Sequence, residues 1–375
     1  MMRTRYDATI VGAGPAGAVF AHELARLRPD LNLLLIDGQS ADRQKPCGGL
    51  LAPDAQKVLA EFGLTLPKHV LADPQIFAVE TIDLAVGISR TYQRHYLNMN
   101  RYAFDRWLLS LVPDSVDIVQ ARCEDIRETD GSFTLALTSG TVTVDAVIGA
   151  DGGGSIVRRK LIGRMPQQYL SIQEWYRDLG QCVPPYSCIF DAETSDSCSW
   201  TIRKDGFLIY GGAFEKHGGR DAFAAQKSRL EAYLGTNLGE PVMREACLVT
   251  SPRRFSDFCC GKPGVYLLGE AACFISASSF EGISSALISG KLLAEAFASE
   301  ASPAQILRAY RRKTESLRRK LYTKTFKRQI LCHPASRLAI MASGVQSIDV
   351  ADQRAPLGMK KAPRLPCTSP LKTDN

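Results

Sequence analysis

Three glycines near the N-terminus are the first residues of this sequence whose types and spacing could do chemistry. Gly12, Gly14 and Gly17 form the pattern G-x-G-x-x-G within the stretch TIVGAGPAGAVFAHEL. Gly12 permits a tight turn, Gly14 lets a pyrophosphate approach the backbone, and Gly17 lets a helix lie close to a sheet. We predict that Pro15 and Ala16 begin this helix and that its N-terminus faces the phosphates of a dinucleotide.

The elements that must position these glycines are a strand, a helix and a second strand. The sequence predicts a strand from Asp7 to Val11 and a helix from Pro15 to Leu27, whose apolar residues share one face. Leu31 to Ile36 is a continuous apolar run, which is typical of a parallel strand buried on both faces. Asp37 ends this strand 25 residues after Gly12, where a carboxylate can bind the ribose hydroxyls of an adenosine. A chance glycine turn is not expected to bring these features together.

A loop with a single thiol follows this unit in the stretch RQKPCGGLL. Taken alone, the loop is either a tight turn with an incidental cysteine or part of an active site, and its residues do not decide between the two. The residues at its centre are Lys45, Pro46, Cys47, Gly48 and Gly49.

Two later stretches also run from an apolar strand into a loop of small residues. They are DAVIGADGGGSIVRR and GVYLLGEAACFISASSFEGISS. Small residues let a flat ligand or a pyrophosphate lie against the backbone, and the carboxylate of Glu270 could accept a hydrogen bond from a ribityl or ribose hydroxyl. The residues of interest are Asp151 and Gly152 in the first stretch, and Gly269, Glu270, Gly282 and Ile283 in the second.

Together, in this order and spacing, the three stretches resemble the FAD-binding elements of flavoproteins with the para-hydroxybenzoate hydroxylase fold. The segment NRYAFDRWLL resembles the family segment whose arginine, here Arg101, lies along the FAD. Within that superfamily, the K-P-C-G-G loop and the E-G-I segment that contains Gly282 resemble the geranylgeranyl reductase group. Two departures stand out. The third motif has Glu270 where aspartate is usual, and the reductases' Y-x-W-x-F-P-K-G motif is matched only at Trp200 and Lys204.

The resemblance implies an α/β fold with a Rossmann-type FAD-binding domain, an inserted antiparallel β-sheet substrate domain and C-terminal helices. The implied FAD-binding domain is discontinuous and takes residues 1–75, 97–164 and 255–300. The implied β-rich substrate domain takes residues 76–96 and 165–254. A basic helical region at 301–345 and a disordered tail at 346–375 complete the expected organisation.

The activity implied by the resemblance is that of an FAD-dependent oxidoreductase acting on a small apolar substrate. The first hypothesis is a reductase of an unsaturated, isoprenoid-like substrate, since reduced flavin can pass hydride from N5 to an electron-poor alkene. The alternatives are an FAD-dependent monooxygenase and a flavoprotein without turnover that acts in a membrane stress response. Because the sequence contains one dinucleotide fingerprint, we expect NAD(P)H, if it is the electron donor, to bind transiently.

The roles of individual residues follow from the resemblance, which implies that the K-P-C-G-G loop approaches the isoalloxazine ring. Cys47 is then a proton donor, a pocket-shaping residue or a packing residue, and Lys45 could offset charge on the reduced flavin. Tyr186, Trp200 and Tyr210 either line a substrate cavity or pack in a sheet. The implied cofactor-binding residues are Gly12, Gly14, Pro15, Ala16, Gly17, Asp37, Lys45, Pro46, Cys47, Gly48, Gly49, Arg101, Asp151, Gly152, Gly269, Glu270, Gly282 and Ile283.

The net charge of +7 is concentrated near the C-terminus. Residues 306–330 contain ten basic residues and one acid, with apolar residues at helical spacing. This pattern predicts a basic helix or helix pair, which either packs on the body with a solvated basic face or contacts an anionic membrane surface. We expect no nucleic-acid partner, because no nucleic-acid-binding module is visible.

The cysteines and apolar runs indicate the cellular location. The 11 cysteines form no C-x-x-C pair and no zinc-binding spacing, so we expect free thiols and no metal. No apolar run approaches the roughly 20 residues that cross a bilayer, and the N-terminus has no signal peptide. We therefore expect a cytoplasmic protein that is either soluble or peripheral to the inner face of the membrane.

Overall fold

The computed structural model describes residues 3–38, 45–129, 131–181 and 183–349, and their strands form two large sheets. The strands are β1 (Arg5–Val11), β2 (Leu33–Asp37), β3 (Leu50–Leu51), β4 (Ala78–Asp83), β5 (Ile88–Gln93), β6 (Leu97–Asn98), β7 (Asp117–Gln120), β8 (Cys123–Thr129), β9 (Ser132–Leu137), β10 (Gly140–Gly149), β11 (Gln168–Arg177), β12 (Tyr186–Phe190), β13 (Cys198–Lys204), β14 (Phe207–Phe214), β15 (Met243–Thr250), β16 (Gly261–Lys262) and β17 (Val265–Leu267). The helices are α1 (Pro15–Leu27), α2 (Pro53–Glu61), α3 (Arg101–Ser110), α4 (Ile156–Leu161), α5 (Gly219–Leu234), α6 (Ile283–Ser299), α7 (Pro303–Lys313), α8 (Glu315–Cys332) and α9 (Pro334–Ser343).

The first sheet has the strand order β16-β17-β10-β1-β2-β7, and β9 and β8 extend it from β10. Its central strands β17, β10, β1, β2 and β7 pair in parallel. All five residues of β2 are buried, which agrees with the continuous apolar run in the sequence. The carboxyl ends of β1, β10 and β17 therefore lie at one edge of the sheet, where the three glycine-containing loops begin.

The second sheet has the order β15-β11-β14-β13-β12-β4-β5, and every pair in it is antiparallel except β12 with β4. A two-residue turn joins β13 to β14, with φ of 50° at Asp205 and 77° at Gly206, as tight hairpins require. One face of this sheet packs on α5 through Tyr210, Phe214 and Phe223. A mainly parallel sheet with helices and a second, mainly antiparallel sheet confirm the predicted fold class.

The basic C-terminal segment forms the helix pair α7 and α8. The apolar face of α7 is buried against the body, and Leu317 and Leu321 of α8 are buried as well. Arg328 of α8 ion-pairs with Asp196 at 2.7 Å and thereby ties the helix to the second sheet region. Among the described residues, no helix combines the length and the apolar character needed to cross a membrane.

The chain after α9 returns to the second sheet. The backbone N–H of Ile348 donates to the carbonyl oxygen of Thr91 in β5 at 2.9 Å. Most of the predicted tail, residues 350–375, lies outside the described residues.

Candidate active site

A cavity of about 970 Å³ lies where the glycine-containing loops of the first sheet meet the K-P-C-G-G loop and the second sheet. This volume is near the upper end of the roughly 300–1,000 Å³ that is usual for ligand pockets. The cavity brings together most of the site residues that were predicted from the sequence. These are Gly12, Gly14, Pro15, Ala16, Lys45, Pro46, Cys47, Gly48, Gly49, Arg101, Asp151, Gly152, Tyr186, Trp200, Glu270, Gly282 and Ile283.

The first glycine loop forms a backbone cradle at one end of the cavity. Gly12 has φ of 110°, and a Cβ there would lie 2.5 Å from the carbonyl oxygen of Ala150. A Cβ at Gly17 would lie 1.9 Å from the carbonyl oxygen of Gly12, so Gly17 permits close packing of α1 without lining the cavity. Gly14 precedes α1 with no side-chain cap and has open space beside it, so the helix N-terminus is accessible from the cavity. This geometry fits a pyrophosphate.

Asp37 ends β2 as predicted but does not line the cavity. Its carboxylate is buried and accepts a hydrogen bond from Nη1 of Arg106 at 2.7 Å, whereas its neighbours Ile36 and Gly38 do line the cavity. The structure thus places this carboxylate in an ion pair with α3, and its contact with a ribose stays a prediction.

Lys45 joins the K-P-C-G-G loop to the other two glycine motifs. Its Nζ lies 2.5 Å from Oε2 of Glu270, and a Cβ at Gly152 would lie 3.5 Å from the same Nζ. The second oxygen of Glu270 accepts a hydrogen bond from the backbone N–H of Thr250 at 2.9 Å. Burial disfavours the Lys45 charge, but the Glu270 carboxylate more than offsets this and raises the pKa of Lys45. Both oxygens of Glu270 are therefore engaged within the protein, which was not foreseen.

Gly269 lies beneath the cavity instead of lining it. It begins a short 3₁₀ turn with φ of 49°, and a Cβ there would lie 3.2 Å from Cβ of Ala16. The residue therefore permits the close approach of the third motif to α1.

Asp151 lines the cavity, but its carboxylate caps the N-terminus of α4. It accepts hydrogen bonds from Oγ of Ser155 and from the backbone N–H of Ile156, both at 2.6 Å. Burial raises the pKa of Asp151, and these hydrogen bonds oppose the increase. The position of the second motif in the cavity is therefore fixed by a helix cap.

Lys204, at the end of β13, is a buried cation of the site. Its Nζ lies 2.9 Å from the carbonyl oxygen of Gly48, 3.2 Å from that of Gly49 and 2.5 Å from that of Met99. The residue is 3% exposed, and burial lowers its pKa to about 8. Gly49 has φ of 63°, and a Cβ there would lie 2.1 Å from Nζ of Lys204. The match of Trp200 and Lys204 to the reductase motif was the signal that could have identified this residue.

Cys47 lies on the cavity wall close to two cations. The backbone N–H of Gly49 donates to its Sγ at 3.4 Å, and the side chains of Arg101 and Lys204 lie close enough to interact electrostatically with the thiol. The cysteines of the described residues are free thiols, and Cys182 and Cys367 lie outside those residues. Whether the proton of Cys47 is used in a reaction stays a prediction.

The second sheet supplies an apolar wall through Trp200, Tyr186 and Ile202. A Cβ at Gly48 would lie 2.7 Å from Cδ1 of Ile202, so the K-P-C-G-G loop packs directly on this wall. Nε1 of Trp200 is buried without a hydrogen-bond partner in the described part of the chain, so it is available to a ligand.

The prediction that Tyr210 lines the cavity is wrong. Tyr210 is fully buried on the opposite face of the sheet, where its ring lies 4.9 Å from that of Phe223 and its hydroxyl donates to Gln226 at 3.0 Å. Trp200 pairs with Gly211, and because successive side chains of a strand alternate between faces, Tyr210 points away from Trp200.

A tyrosine–carboxylate pair at the same wall was missed in the sequence. The hydroxyl of Tyr96 donates to Oε1 of Glu281 at 2.7 Å, and its ring lies 6.1 Å from that of Tyr186. Burial, followed by the charge of Glu281, raises the pKa of Tyr96 well above its ordinary value. The hydroxyl proton of Tyr96 is therefore held firmly and is directed at the Glu281 carboxylate.

The cavity wall also includes side chains of α8, namely Lys324, Lys327 and Leu331, and the side chain of Arg94. The cavity is thus bounded by glycine backbone in one region, by aromatic and aliphatic side chains in a second, and by cations in a third. An elongated cofactor and an apolar substrate that meet at the K-P-C-G-G loop would match this division.

Comparisons with known proteins agree with this architecture. The family model described as lycopene cyclase protein matches residues 7–177. Protein CbrA of Escherichia coli O6:H1 (strain CFT073) is 43% identical over 353 residues, which cover 92% of this chain and 94% of the relative. Protein CbrA of Shigella sonnei (strain Ss046) is 42% identical, with coverage of 92% of this chain and 98% of the relative.

Solved structures show the same fold at low sequence identity. A geranylgeranyl bacteriochlorophyll reductase-like protein from Thermoplasma acidophilum superposes with a TM-score of 0.75 at 18% identity over 92% of each chain. PqsL of Pseudomonas aeruginosa, in complex with 2-aminobenzoylacetate, gives 0.67 at 15% identity over 90% of this chain and 100% of that chain. A single-residue variant of HpxO from Klebsiella pneumoniae, complexed with FAD, gives 0.66 at 17% identity over 91% of this chain and 94% of that chain.

Proposed function

The chain belongs to the CbrA family, and from this premise we propose that it is an FAD-dependent oxidoreductase that reduces a carbon–carbon double bond of an apolar, isoprenoid-like substrate. Solved structures with the same fold include a geranylgeranyl bacteriochlorophyll reductase-like protein and a protein with bound FAD. The proposal combines this family membership with the division of the cavity described above.

FAD binding is supported by the backbone cradle at Gly12 and Gly14 and by the N-terminus of α1, which is accessible from the cavity. The absorbance spectrum of the purified protein, with mass spectrometry of the released cofactor, tests this step. Bound FAD is the expected result. A colourless protein that cannot be reconstituted with FAD would refute the proposal.

The observation that carries the reductase proposal is the position of the K-P-C-G-G loop. On one side, Lys45 ion-pairs with Glu270 and lies beside Gly152. On the other side, Gly48 packs on Ile202, and Lys204 binds the loop backbone. A single loop therefore borders both the dinucleotide-binding motifs and the apolar wall.

Bound FAD would supply the hydride for such a reduction. The protein must then provide a proton, and the Cys47 thiol on the cavity wall is positioned to do so. The ammonium groups of Lys45 and Lys204 favour negative charge near the loop. The apolar wall at Trp200 excludes water.

The test is anaerobic reoxidation of the reduced protein. The protein is reduced with dithionite, or with NAD(P)H as the proposed transient donor, and mixed with a panel of unsaturated isoprenoid lipids. Reoxidation by a lipid, with a saturated product in the mass spectrum, is the expected result. No reoxidation by any lipid of the panel would count against the reductase.

An FAD-dependent monooxygenase is the second candidate, because several structures with this fold are monooxygenases. Among them is p-nitrophenol 4-monooxygenase PnpA of Pseudomonas putida, with a TM-score of 0.67 at 17% identity over 91% of this chain and 93% of that chain. A monooxygenase would incorporate oxygen from ¹⁸O₂ into its product, whereas a reductase would not. If the flavin-loaded protein shows no turnover in the reoxidation assay or in the ¹⁸O₂ assay, a role without catalysis is supported.

A further inference from the structure

The outer face of α8 carries apolar side chains that the fold does not bury. Phe326 is 52% exposed and Ile330 is 49% exposed. With Thr323 and Lys327, both also exposed, they lie three or four positions apart and therefore share one side of the helix. We call these four residues the α8 stripe. Leu317 and Leu321 anchor the helix in the core, whereas Phe326 makes an edge-on ring contact with Tyr322 and still leaves about half of its side chain exposed.

Exposed apolar residues continue beyond α8. Single exposed apolar side chains are common and need no explanation, but Phe326 and Ile330 are neighbours on one face of the same helix, which favours an interaction surface. Five large apolar side chains that are exposed in the described part of the chain fall between residues 326 and 348: Phe326, Ile330, Ile340, Val345 and Ile348.

The charge next to the stripe is positive. Three cations of α8 form ion pairs within the described residues: Arg319 with Glu315, Lys320 with Asp54 and Arg328 with Asp196. Lys324 and Lys327 form no ion pair with any described residue; Lys324 still acts on Asp54 at longer range, so the charge of Lys327 is the more available to an anionic partner. An acidic partner is favoured over a neutral one at this face.

The stripe also borders the cavity. Lys327 of the stripe lines the cavity. Lys324 and Leu331, which lie on the adjoining side of the same helix, line the cavity as well. A surface that contacts Phe326 and Ile330 therefore lies within about one helical turn of the cavity wall.

We propose that the α8 stripe docks on an anionic lipid surface beside the opening of the cavity. Phe326 and Ile330 enter the boundary between headgroups and acyl chains, and Lys324 and Lys327 bind lipid phosphates. Aromatic and aliphatic residues interspersed with lysines on an exposed helix face are the chemistry that such a surface recognises. That an apolar substrate enters from the lipid rests on the proposed function, whereas docking itself does not.

Co-sedimentation of the full-length, FAD-reconstituted protein with vesicles tests the proposal. The vesicles consist of phosphatidylcholine with or without phosphatidylglycerol. We expect binding to the anionic vesicles and little binding to the neutral ones. A lysine near an anionic surface adds about 1 kcal/mol, so Lys327→Gln should weaken binding about fivefold.

Matched variants separate docking from general charge attraction. The double variant Phe326→Ser, Ile330→Ser changes only exposed positions and should weaken binding at least tenfold with an unchanged far-UV circular dichroism spectrum. The control is Arg308→Gln, Arg312→Gln, which removes two exposed charges from α7 without touching the stripe. The control should lose less binding than either stripe variant.

Three results would overturn the proposal: equal binding to neutral and anionic vesicles, equal losses in the control and the stripe variants, or unchanged binding of the Phe326→Ser, Ile330→Ser variant. Binding of an acidic protein or of nucleic acid with no vesicle binding would also overturn it. Vesicle binding by a protein that fails the reoxidation assay would leave docking standing and remove only the proposed function.

Discussion

We expect the stability of the wild-type protein to gain a contribution from Lys204 between pH 7 and pH 9, and replacing Lys204 with methionine should remove it. Burial lowers the pKa of this lysine from 10.5 to about 8. In the unfolded chain Lys204 keeps its proton up to about pH 10, whereas in the folded protein it loses the proton above about pH 8. Between these values the unfolded state binds more protons, so the free energy of unfolding increases with pH.

The size of the effect follows from the two pKa values. At about 1.4 kcal/mol for each pH unit, the buried charge costs the folded state about 3 kcal/mol below pH 8. Deprotonation relieves about 1 kcal/mol of this cost between pH 7 and pH 9. Lys204→Met has no such charge and should lack this part of the slope.

Stability at a single pH is less informative. The methionine variant avoids the buried charge but leaves the carbonyl oxygens of Gly48 and Met99 without their lysine donor, at about 1–3 kcal/mol each. The carbonyl oxygen of Gly49 retains the backbone N–H of Met99 at 2.8 Å. The two effects oppose each other and are similar in size at pH 7, so the pH slope is the quantity to measure.

The assay is urea denaturation at pH 7, 8 and 9, followed by circular dichroism, for the wild type and the variant. Lys262→Met is the matched control, because Lys262 lies at the surface in an ion pair with Glu128. The other titrating groups are the same in all three proteins. Their contributions therefore cancel when the pH dependence of the free energy of unfolding is compared between each variant and the wild type. If the free energy of unfolding of Lys204→Met increases with pH as much as that of the wild type, Lys204 is not the titrating group. The lowered pKa of its buried ammonium is then refuted.

Three further changes test the site. Cys47→Ser should retain FAD binding and alter the rate of turnover; unchanged turnover would show that the thiol only packs. Gly49→Ala should cost more than about 1 kcal/mol and lower flavin occupancy, because its Cβ would meet Nζ of Lys204 and the carbonyl oxygen of Met99, whereas Gly63→Ala, which has a similar φ of 67° but open space around it and lies away from the cavity, should retain wild-type occupancy in the flavin absorbance. Glu270→Gln should lower the free energy of unfolding by about 1–3 kcal/mol, since it leaves a partly buried ammonium without its carboxylate; urea denaturation that matches the wild type would contradict this.

The first βαβ unit could be predicted because its signals are local. The helix expected from Pro15 to Leu27 is α1 with the same bounds, since a proline in the first turn and the apolar periodicity mark it unambiguously. The second strand begins at Leu33 instead of Leu31, because Asn32 bonds to Asp7 through both its backbone and its side-chain nitrogen. Such a contact between distant residues is not visible in a local pattern.

The burial of Lys204 against the K-P-C-G-G loop could not be predicted for the same reason. A lysine next to Asp205 and Gly206 indicates a solvent-exposed turn when only its neighbours are considered. Its acceptors Gly48 and Gly49 are more than 150 positions away in the chain, and only the folded structure brings them to its ammonium group.

The error at Tyr210, by contrast, could have been avoided from the sequence. A two-residue turn at Asp205 and Gly206 fixes the register of the hairpin, so that residue 200 pairs with residue 211 and residue 210 with residue 201. Because side chains alternate between faces, Trp200 and Tyr210 cannot both line one cavity. The same rule places Tyr186 with Trp200, since Tyr186 pairs with Ile202 two positions further along the strand.

This alternation also gives Lys204 its position. Residues 200, 202 and 204 point to one face of β13, so the strand that presents Trp200 and Ile202 to the apolar wall must also direct Lys204 toward the K-P-C-G-G loop. The loop is consequently held from two sides, by Lys204 from the second sheet and by the ion pair between Lys45 and Glu270 from the first. Since Cys47 lies between these two attachments, its position depends on both sheets. A change that loosens either attachment should therefore displace the thiol even when it leaves the glycine cradle intact.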